Sequence, residues 1–169
     1  SRRSGNRKRR MSESHYADFC CLCEDGGELI VCDGPCLRTF HPQCLGLDSV
    51  PAGDTWECSD CREKKHLCLI CGKVGNDTPA NRFPFAGEND VFLCSMPTCG
   101  RYYHKKCLES RPPGEVLFYS QSNDTTSDGS SSSLAKTKFR CPQHFCHTCH
   151  KEVGSMIMKC NRCANAHHI

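Results

Sequence analysis

The cysteines and histidines of this chain recur in an ordered pattern. Seventeen of its eighteen cysteines and four of its nine histidines fall into closely spaced ligand pairs. The pattern occurs twice in full and begins a third time. Zinc takes four thiolate or imidazole ligands at tetrahedral angles, and two ligands on one tight turn supply half of such a set. Each pair is therefore half of a candidate zinc site.

The ligand order is similar in the three copies. The first copy reads Cys20, Cys23, Cys32, Cys36, His41, Cys44, Cys58 and Cys61. The second copy reads Cys68, Cys71, Cys94, Cys99, His104, Cys107, Cys141 and His144. The third copy contains Cys146, Cys149, Cys160, Cys163 and His168. In all three, four residues separate the fourth cysteine from the following histidine.

The third copy has two interpretations. The repeat predicts a further cysteine shortly after Ile169, and hence a third module that is truncated. The rival interpretation joins the four cysteines of this copy into one self-contained zinc ribbon. His147 and His150 adjoin the predicted ligands and are alternative donors if the register differs. We expect no role for the leftover Cys21, nor for the remaining histidines, which are His15, His66 and His167.

Disulfide bonds are the main alternative use of so many cysteines, since the cysteine content exceeds the level typical of small secreted scaffolds. A disulfide framework does not explain histidines at the ligand positions of the repeat. No signal-like segment is found near the first residue, and no apolar run approaches the roughly 18 residues that span a bilayer. We therefore expect reduced thiols, bound zinc and no membrane contact.

Zinc has a structural role in this interpretation. A module of about 45 residues buries too little apolar surface to offset a backbone ordering cost of roughly 1–2 kcal/mol per residue. Structural zinc supplies on the order of 10–16 kcal/mol in small fingers. We expect two Zn²⁺ ions in each complete module, four in the first two, and one or two more in the third. Without zinc the chain should be unfolded.

The elements that position these ligands divide the chain into four parts. We predict a basic, disordered arm over residues 1–15, module 1 over 16–64, module 2 over 65–145 and a partial module 3 over 146–169. Module 2 contains a serine-rich insertion at about 120–136, which we expect to be disordered. The basic arm suggests nuclear import or DNA contact. Five aromatic side chains of module 2 could belong to a core, to an interface with module 1 or to a binding surface, and we expect a core or an interface: Phe83, Phe85, Phe92, Tyr102 and Tyr103.

The ligand order indicates how the modules fold. If pairs one and three hold one ion and pairs two and four the other, the chain forms a cross-brace around a small sheet. RING fingers share this topology but place histidine fourth and cysteine fifth, whereas module 1 has Cys36 fourth and His41 fifth. Module 1 therefore resembles the PHD finger family, in which a tryptophan such as Trp56 and an aromatic residue such as Phe40 belong to the core. The predicted fold is small, metal-stabilised and mostly irregular, with short β-hairpins in tandem cross-brace PHD-type zinc fingers.

The tandem arrangement is similar to a particular group of PHD fingers. It resembles the PHD clusters of nuclear-receptor-binding SET-domain (NSD) histone methyltransferases and of the plant enhanced downy mildew protein. Three segments carry this resemblance: residues 32–36, residues 99–104 and residues 139–144, which run straight into another finger. Nothing in the chain resembles a catalytic SET domain, and no nucleophile or general-base pair stands out. We expect this segment not to be an enzyme.

The resemblance implies a binding site for the amino terminus of histone H3 with its fourth-position lysine unmodified. Asp18 would then bind that lysine and Asp33 the arginine at the second histone position. Backbone carbonyls of Pro51, Ala52 and Gly53 would hold the terminal amine. The β-prone run Leu29, Ile30 and Val31, preceded by Glu28, would accept the peptide as an added strand.

The local charge agrees with a basic ligand. Between residues 18 and 61 there are nine acidic residues and one basic residue, Arg38, a formal charge of −8 in a chain whose total is +3. Such a surface favours a basic peptide over nucleic acid. Trp56 is assigned to the core, so an aromatic cage for trimethyl-lysine is not expected in module 1.

These observations predict a nuclear, zinc-binding chromatin reader that binds the histone H3 tail and other chromatin proteins as part of a larger regulator, such as a histone-lysine methyltransferase. Two alternatives remain. The first is a scaffold that binds other transcription regulators without binding histone. The second is a RING-type ubiquitin ligase, which the position of His41 disfavours.

Overall fold

The structure is a computed structural model that describes residues 18–121, 136–152 and 157–169. The predicted basic arm lies outside these residues, as does most of the predicted insertion. Among the residues that are described, every helix is too short or too polar to cross a lipid bilayer.

Module 1 is built around one short antiparallel hairpin. Strand β1 (Ile30–Val31) pairs with β2 (Thr39–Phe40), with Ile30 opposite Phe40. A 3-10 helix (Gln43–Leu45) and helix α1 (Ser59–Glu63) follow. Phe40 is buried, and Trp56 packs edge-on against it with ring centroids 5.9 Å apart. Ile30 is buried as well, and the rest of the buried core of this module consists of cysteines.

Module 2 contains the largest sheet of the described chain. Strands β3 (Lys65–Leu67), β4 (Val74–Asp77), β5 (Asp90–Leu93) and β6 (Tyr102–His104) lie side by side in that order. β4 and β5 run parallel, and the other two pairs are antiparallel. A 3-10 helix (Ala80–Phe85) lies between β4 and β5, and helix α2 (Lys105–Glu109) follows β6.

A second hairpin completes module 2. Strand β7 (Leu117–Gln121) pairs with β8 (Lys136–Arg140), from Leu117 opposite Arg140 to Gln121 opposite Lys136. The predicted limits of the disordered insertion, 120–136, are therefore too wide, because strand pairing extends to Gln121 and resumes at Lys136. Residues 122–135 lie outside the described residues.

The aromatic core of module 2 joins this hairpin to the sheet. Phe83 packs against Phe92 and Phe139, with ring centroids 4.9 and 5.9 Å apart, and all three are buried. Tyr102 and Tyr103 are also buried, as expected. Phe85 is 62% exposed in the described structure, so the expectation of a core or interface position is wrong for this side chain. It ends a 3-10 helix whose Phe83 is the residue that faces inward.

Module 3 contains one antiparallel hairpin, β9 (Ile157–Lys159) and β10 (Ala166–His168), in which Ala166 lies opposite Lys159. The 3-10 helix Pro142–His144 leads into this module from module 2. Ala164 and Ala166 are buried, and the exposed side chains around them leave little apolar surface inside the module.

Modules 1 and 2 pack tightly against each other, because the segment that connects them becomes strand β3. Its His66 is only 3% exposed and stacks on Tyr102, with ring centroids 3.8 Å apart and an interplanar angle of 8°. Burial lowers the pKa of His66, which keeps the ring neutral. At Gly100, an added Cβ would lie 2.2 Å from the carbonyl oxygen of Cys36, so only glycine allows this approach. The expectation that His66 has no role is wrong, because its buried ring stacks on Tyr102 and lines a cavity together with Cys36 and Arg38 of module 1.

Candidate metal centres and peptide-binding edge

The structure brings the predicted ligands of modules 1 and 2 together in four groups. Within each group the donor atoms all lie within 4.8 Å of one another. The groups are Cys20, Cys23, His41 and Cys44; Cys32, Cys36, Cys58 and Cys61; Cys68, Cys71, His104 and Cys107; and Cys94, Cys99, Cys141 and His144. In both modules the first pair thus joins the third and the second joins the fourth, which is the cross-brace arrangement.

The distances within the groups fit a tetrahedral zinc ion. With Zn–S bonds of about 2.3 Å, the sulfurs of such a site lie about 3.8 Å apart. The Sγ atoms of Cys36 and Cys58 are 3.8 Å apart, and those of Cys99 and Cys141 are 3.6 Å apart. A disulfide requires about 2.0 Å, and all the cysteines are free thiols. The donor sets therefore fit zinc.

The histidine of the first group is oriented by a contact outside the group. His41 presents Nδ1 to Cys23 Sγ at 3.2 Å, while its Nε2 lies 3.1 Å from the carbonyl oxygen of Gly26. A hydrogen bond from Nε2–H to this carbonyl leaves Nδ1 free to bind metal. The neighbouring Gly27 has φ of +137°, and an added Cβ would lie 2.9 Å from Nε2. Glycine at position 27 therefore leaves room for the ring.

Backbone N–H groups point at the sulfur atoms. His41 N and Leu22 N both lie 3.4 Å from Cys20 Sγ. Burial raises the pKa of the Cys20 thiol, but hydrogen bonds from the backbone of Cys23, His41 and Leu22 outweigh it and lower the pKa to about 6. The loop thus favours the thiolate form, which is the form that binds zinc.

Arg38, the single basic residue of this acidic region, lies next to the second group of module 1. Arg38 lies 3.4 Å from Cys58 Sγ and donates to Asp60 at 2.6 Å. Its guanidinium carbon also lies 5.3 Å from the centre of the Phe40 ring. Four thiolates around one Zn²⁺ leave a net charge of about −2, and Arg38 offsets part of it.

Module 3 brings together Cys146, Cys149 and His168, with 3.6 Å between Cys149 Sγ and His168 Nδ1. Cys160 and Cys163 do not join this group of described residues, so the four-cysteine ribbon is not the arrangement found. His147 and His150 do not act as alternative donors either, because both face the carboxylate of Glu115. The distance to Glu115 Oε1 is 2.9 Å from His147 Nδ1 and 3.6 Å from His150 Nδ1.

The predicted peptide edge is formed by β1. Cys32 N–H donates to Arg38 O, and Ile30 lies opposite Phe40, so these two residues use their backbone groups toward β2. In an antiparallel pair the intervening residues face the other way, which turns the backbone of Leu29 and Val31 outward. Within the described chain no further strand pairs with this edge.

The remaining predicted contacts lie in the segments before and after β1. Glu28 and Asp18 are exposed, and Asp18 lies beside the loop before β1, where its carbonyl oxygen would be 3.4 Å from a Cβ at Gly26. Asp33 directly follows the edge. Its carboxylate accepts a 2.6 Å hydrogen bond from Trp56 N–H, and its own N–H donates to Trp56 O. These bonds hold the end of β1 next to the segment that follows Pro51, Ala52 and Gly53, of which Ala52 and Gly53 are exposed.

The fold and the four donor groups define a tandem of cross-brace zinc fingers. Comparison with known families agrees: residues 13–62 match PHD zinc finger 1 of NSD-like histone-lysine N-methyltransferases, and residues 64–144 match a further PHD zinc finger of the same group. The chain belongs to these NSD-like PHD zinc fingers. The predicted resemblance is confirmed, and with it zinc binding. The matched regions are PHD fingers, which are not catalytic.

Individual relatives extend this similarity over most of the chain. Histone-lysine N-methyltransferase NSD3 of Mus musculus is 32% identical over 169 residues, which cover 96% of this chain and 10% of NSD3. The human H3 lysine-36 specific histone-lysine N-methyltransferase is 31% identical over 158 residues, 89% of this chain and 5% of that protein. Protein ENHANCED DOWNY MILDEW 2 of Arabidopsis thaliana is 27% identical over 173 residues, 92% of this chain and 12% of that protein. The chain thus spans only a small part of these relatives.

Proposed function

We propose that this chain is a zinc-dependent chromatin reader that binds the amino-terminal tail of histone H3 with its fourth-position lysine unmodified. It acts in the nucleus as part of a larger chromatin regulator of the histone-methyltransferase type. The relatives support this setting, because NSD3 and the H3 lysine-36 specific enzyme are named as histone-lysine N-methyltransferases. Other chromatin proteins, and DNA through the basic arm, are further proposed partners.

The observation that carries the proposal is the open edge of β1. The outward backbone of Leu29 and Val31 offers hydrogen bonds to an extended peptide, as in other cases of strand addition. Ile30, by contrast, is only 6% exposed and belongs to the core. The core therefore fixes the position of strand β1, so the strand itself loses little conformational entropy when a peptide pairs with it.

Acidic groups near this edge supply the specificity. In the proposed complex Asp18 binds the ammonium group of the fourth-position lysine, and Asp33 binds the arginine at the second position through parallel N–H donors. Trp56 N–H already bonds one oxygen of Asp33 and so orients the carboxylate. In the same complex, backbone carbonyl oxygens of Pro51, Ala52 and Gly53 would accept hydrogen bonds from the terminal amine. Each methyl group added to the lysine removes a donor that Asp18 would pair with.

The zinc ligands of the proposal are the residues of the four complete groups, with four Zn²⁺ ions in modules 1 and 2. Cys146, Cys149 and His168 hold one more ion in module 3. By the repeat pattern, Cys160 and Cys163 would be half of a further site. Zinc supplies no chemistry beyond structure here: it fixes the loops on both sides of β1 in position.

The proposal is tested by calorimetric titration of the zinc-loaded chain with an H3 peptide of residues 1–15. The unmodified peptide should bind, and trimethylation of its fourth-position lysine should weaken binding about tenfold or more, equivalent to about 1.4 kcal/mol. Asp18→Asn should cause a similar loss for the unmodified peptide. The matched control is Glu63→Gln, which removes one exposed carboxylate from α1 and should leave the affinity unchanged.

Asp33→Asn keeps an oxygen for Trp56 N–H while removing the charge, so its zinc content should be normal and its affinity reduced. Equal or tighter binding of the trimethylated peptide would contradict the assignment of Asp18. No binding by a chain with full zinc content would overturn histone reading and favour the scaffold function.

A further inference from the structure

A cavity of about 310 Å³ lies where the three modules meet. Its apolar walls include Phe19 of module 1, Leu67 of strand β3 and Leu69 of module 2. None of the proposed histone contacts lines this cavity, although Phe19 directly follows Asp18. The cavity is therefore separate from the edge of β1.

Each module contributes one arginine to the lining: Arg38, Arg101 and Arg162. Arg38 is held by its 2.6 Å ion pair with Asp60. Arg162 of module 3 donates to both carboxylate oxygens of Glu24 in module 1, at 2.6 and 2.8 Å. These two guanidinium groups are thus fixed by carboxylates that neutralise them.

Arg101 differs from the other two. Its carbonyl oxygen accepts a hydrogen bond from Cys94 N–H, which holds its backbone just before β6. Within the described parts of the chain its side chain has no ion pair and no hydrogen bond. Glu24 is the single carboxylate in the lining, and Arg162 already occupies it. Among the described lining residues, Arg101 therefore presents to the cavity the one guanidinium group that has no side-chain partner.

We propose that this cavity binds an anionic side chain of a partner protein together with an adjacent apolar side chain. A guanidinium group forms two parallel hydrogen bonds with a carboxylate or a phosphate, and Arg101 supplies them. Phe19, Leu67 and Leu69 cover the apolar side chain. The volume is at the lower end of the range for small-ligand pockets, which suits one or two side chains.

The surrounding charge favours a protein segment over nucleic acid. Module 1 has a formal charge of −8 between residues 18 and 61, and a polyanion would be repelled by it over a long distance. A ligand with one anionic group reaches Arg101 and experiences less of this repulsion. The cavity therefore selects isolated acidic or phosphorylated side chains.

The test is a titration of the zinc-loaded, ¹⁵N-labelled chain, followed by NMR, with three capped tripeptides: acetyl-Leu-Glu-Leu-amide, its phosphoserine counterpart and its glutamine counterpart. The two anionic peptides should shift the backbone amides of Leu67, Leu69 and Arg101 in a saturable way. The glutamine peptide should bind about tenfold more weakly or not at all. A tighter phosphoserine complex would identify a modification-dependent partner, and a tighter glutamate complex an acidic segment.

Arg101→Gln should abolish the difference between anionic and neutral peptides, and Arg101→Lys should retain part of it, since lysine keeps the charge but loses the fork. The matched control Arg82→Gln changes an exposed arginine in the 3-10 helix Ala80–Phe85, outside the cavity. Arg101→Gln should bind the H3 peptide normally, so the outcome does not depend on the histone proposal. Equal binding of the neutral peptide, or unchanged selectivity in both Arg101 variants, overturns the proposal. Tighter binding of a 12-bp DNA duplex through Arg101 would also overturn it.

Discussion

The side-chain amide of Gln143 donates a 3.0 Å hydrogen bond to the carbonyl oxygen of Cys163, and a second one to the carbonyl of Cys160. Gln143 lies between Cys141 and His144 in module 2 and is only 2% exposed. It therefore links the last ligand pair of module 2 to the turn that carries the second cysteine pair of module 3. Arg111 adds a neighbouring 2.9 Å hydrogen bond to Asn165.

Replacement of Gln143 by leucine should loosen module 3. The substitution leaves two carbonyl oxygens without their partner, at a cost of about 1–3 kcal/mol for a buried group. Hydrogen exchange of the amides in β9 and β10 should accelerate about tenfold or more, while module 1 is unaffected. Gln43→Leu, in the exposed 3-10 helix of module 1, is the matched control. Unchanged exchange in module 3 would show that this link is dispensable.

Removal of zinc should unfold modules 1 and 2 together. Buried cysteines make up most of the core of module 1 and part of the core of module 2, so a chelator removes the interaction that offsets the ordering cost of the backbone. Elemental analysis of the folded chain should give at least four zinc ions, and circular dichroism should report loss of structure as they are withdrawn. Thiol alkylation followed by mass spectrometry is the check on oxidation. A folded chain with mutually oxidised cysteines would contradict the metal assignment.

Gly27→Ala should weaken the first zinc site. The new Cβ would lie 2.9 Å from His41 Nε2, at a backbone φ of +137° that is unfavourable for alanine. Gly46→Ala is a useful control, because Gly46 also has a positive φ, +71°, but an added Cβ meets nothing within 4 Å. Backbone strain alone costs about 1–3 kcal/mol, and Gly27→Ala should exceed the control in both lost stability and zinc release rate. Equal effects would mean that the orientation of His41 is not sensitive to this contact.

His66→Ala should separate the motions of modules 1 and 2. Loss of the ring removes the stack on Tyr102 and also the side chain that lies beside Cys36 and Arg38 of module 1 in their shared cavity. Deleting a buried aromatic side chain costs about 3 kcal/mol. Backbone ¹⁵N relaxation should show one common tumbling time for the two modules in the parent chain and two in the variant, with the zinc content unchanged. Lys65→Ala, an exposed change on the same strand, should leave a single tumbling time.

The ligand order predicted the cross-brace for two reasons. Closely spaced donors must bind a shared ion, and the order of Cys36 and His41 is that of a PHD finger and not of a RING finger. The same reasoning could not find Gln143 or His66. Their partners are distant in the sequence and include backbone carbonyls and a ring face, which leave no spacing signal. The sequence did not predict that β7 and β8 extend to Gln121 and Lys136, for a similar reason. Polar residues there are paired by the backbone, whatever the composition of the segment between them.

Arg38 shows where composition misleads. As the one basic residue of an acidic region it looks like an exception on the surface, but it lies against Cys58 Sγ and Asp60. The positive charge of Arg38 lies next to the thiolates that bind zinc. A formal charge count treats those cysteines as neutral. The formal charge of −8 therefore counts the side-chain carboxylates of module 1 but leaves out the thiolates in its interior.

Strand β3 has a consequence for how such chains are inherited. Lys65–Leu67 is both the connection from module 1 and the outer strand of the sheet in module 2. A genetic exchange that joined either half to a foreign neighbour at this point would deprive one of them of a strand and of the ring of His66. Modules 1 and 2 are thus expected to be inherited as one unit. Substitutions at their contact in one module should be matched by substitutions in the other.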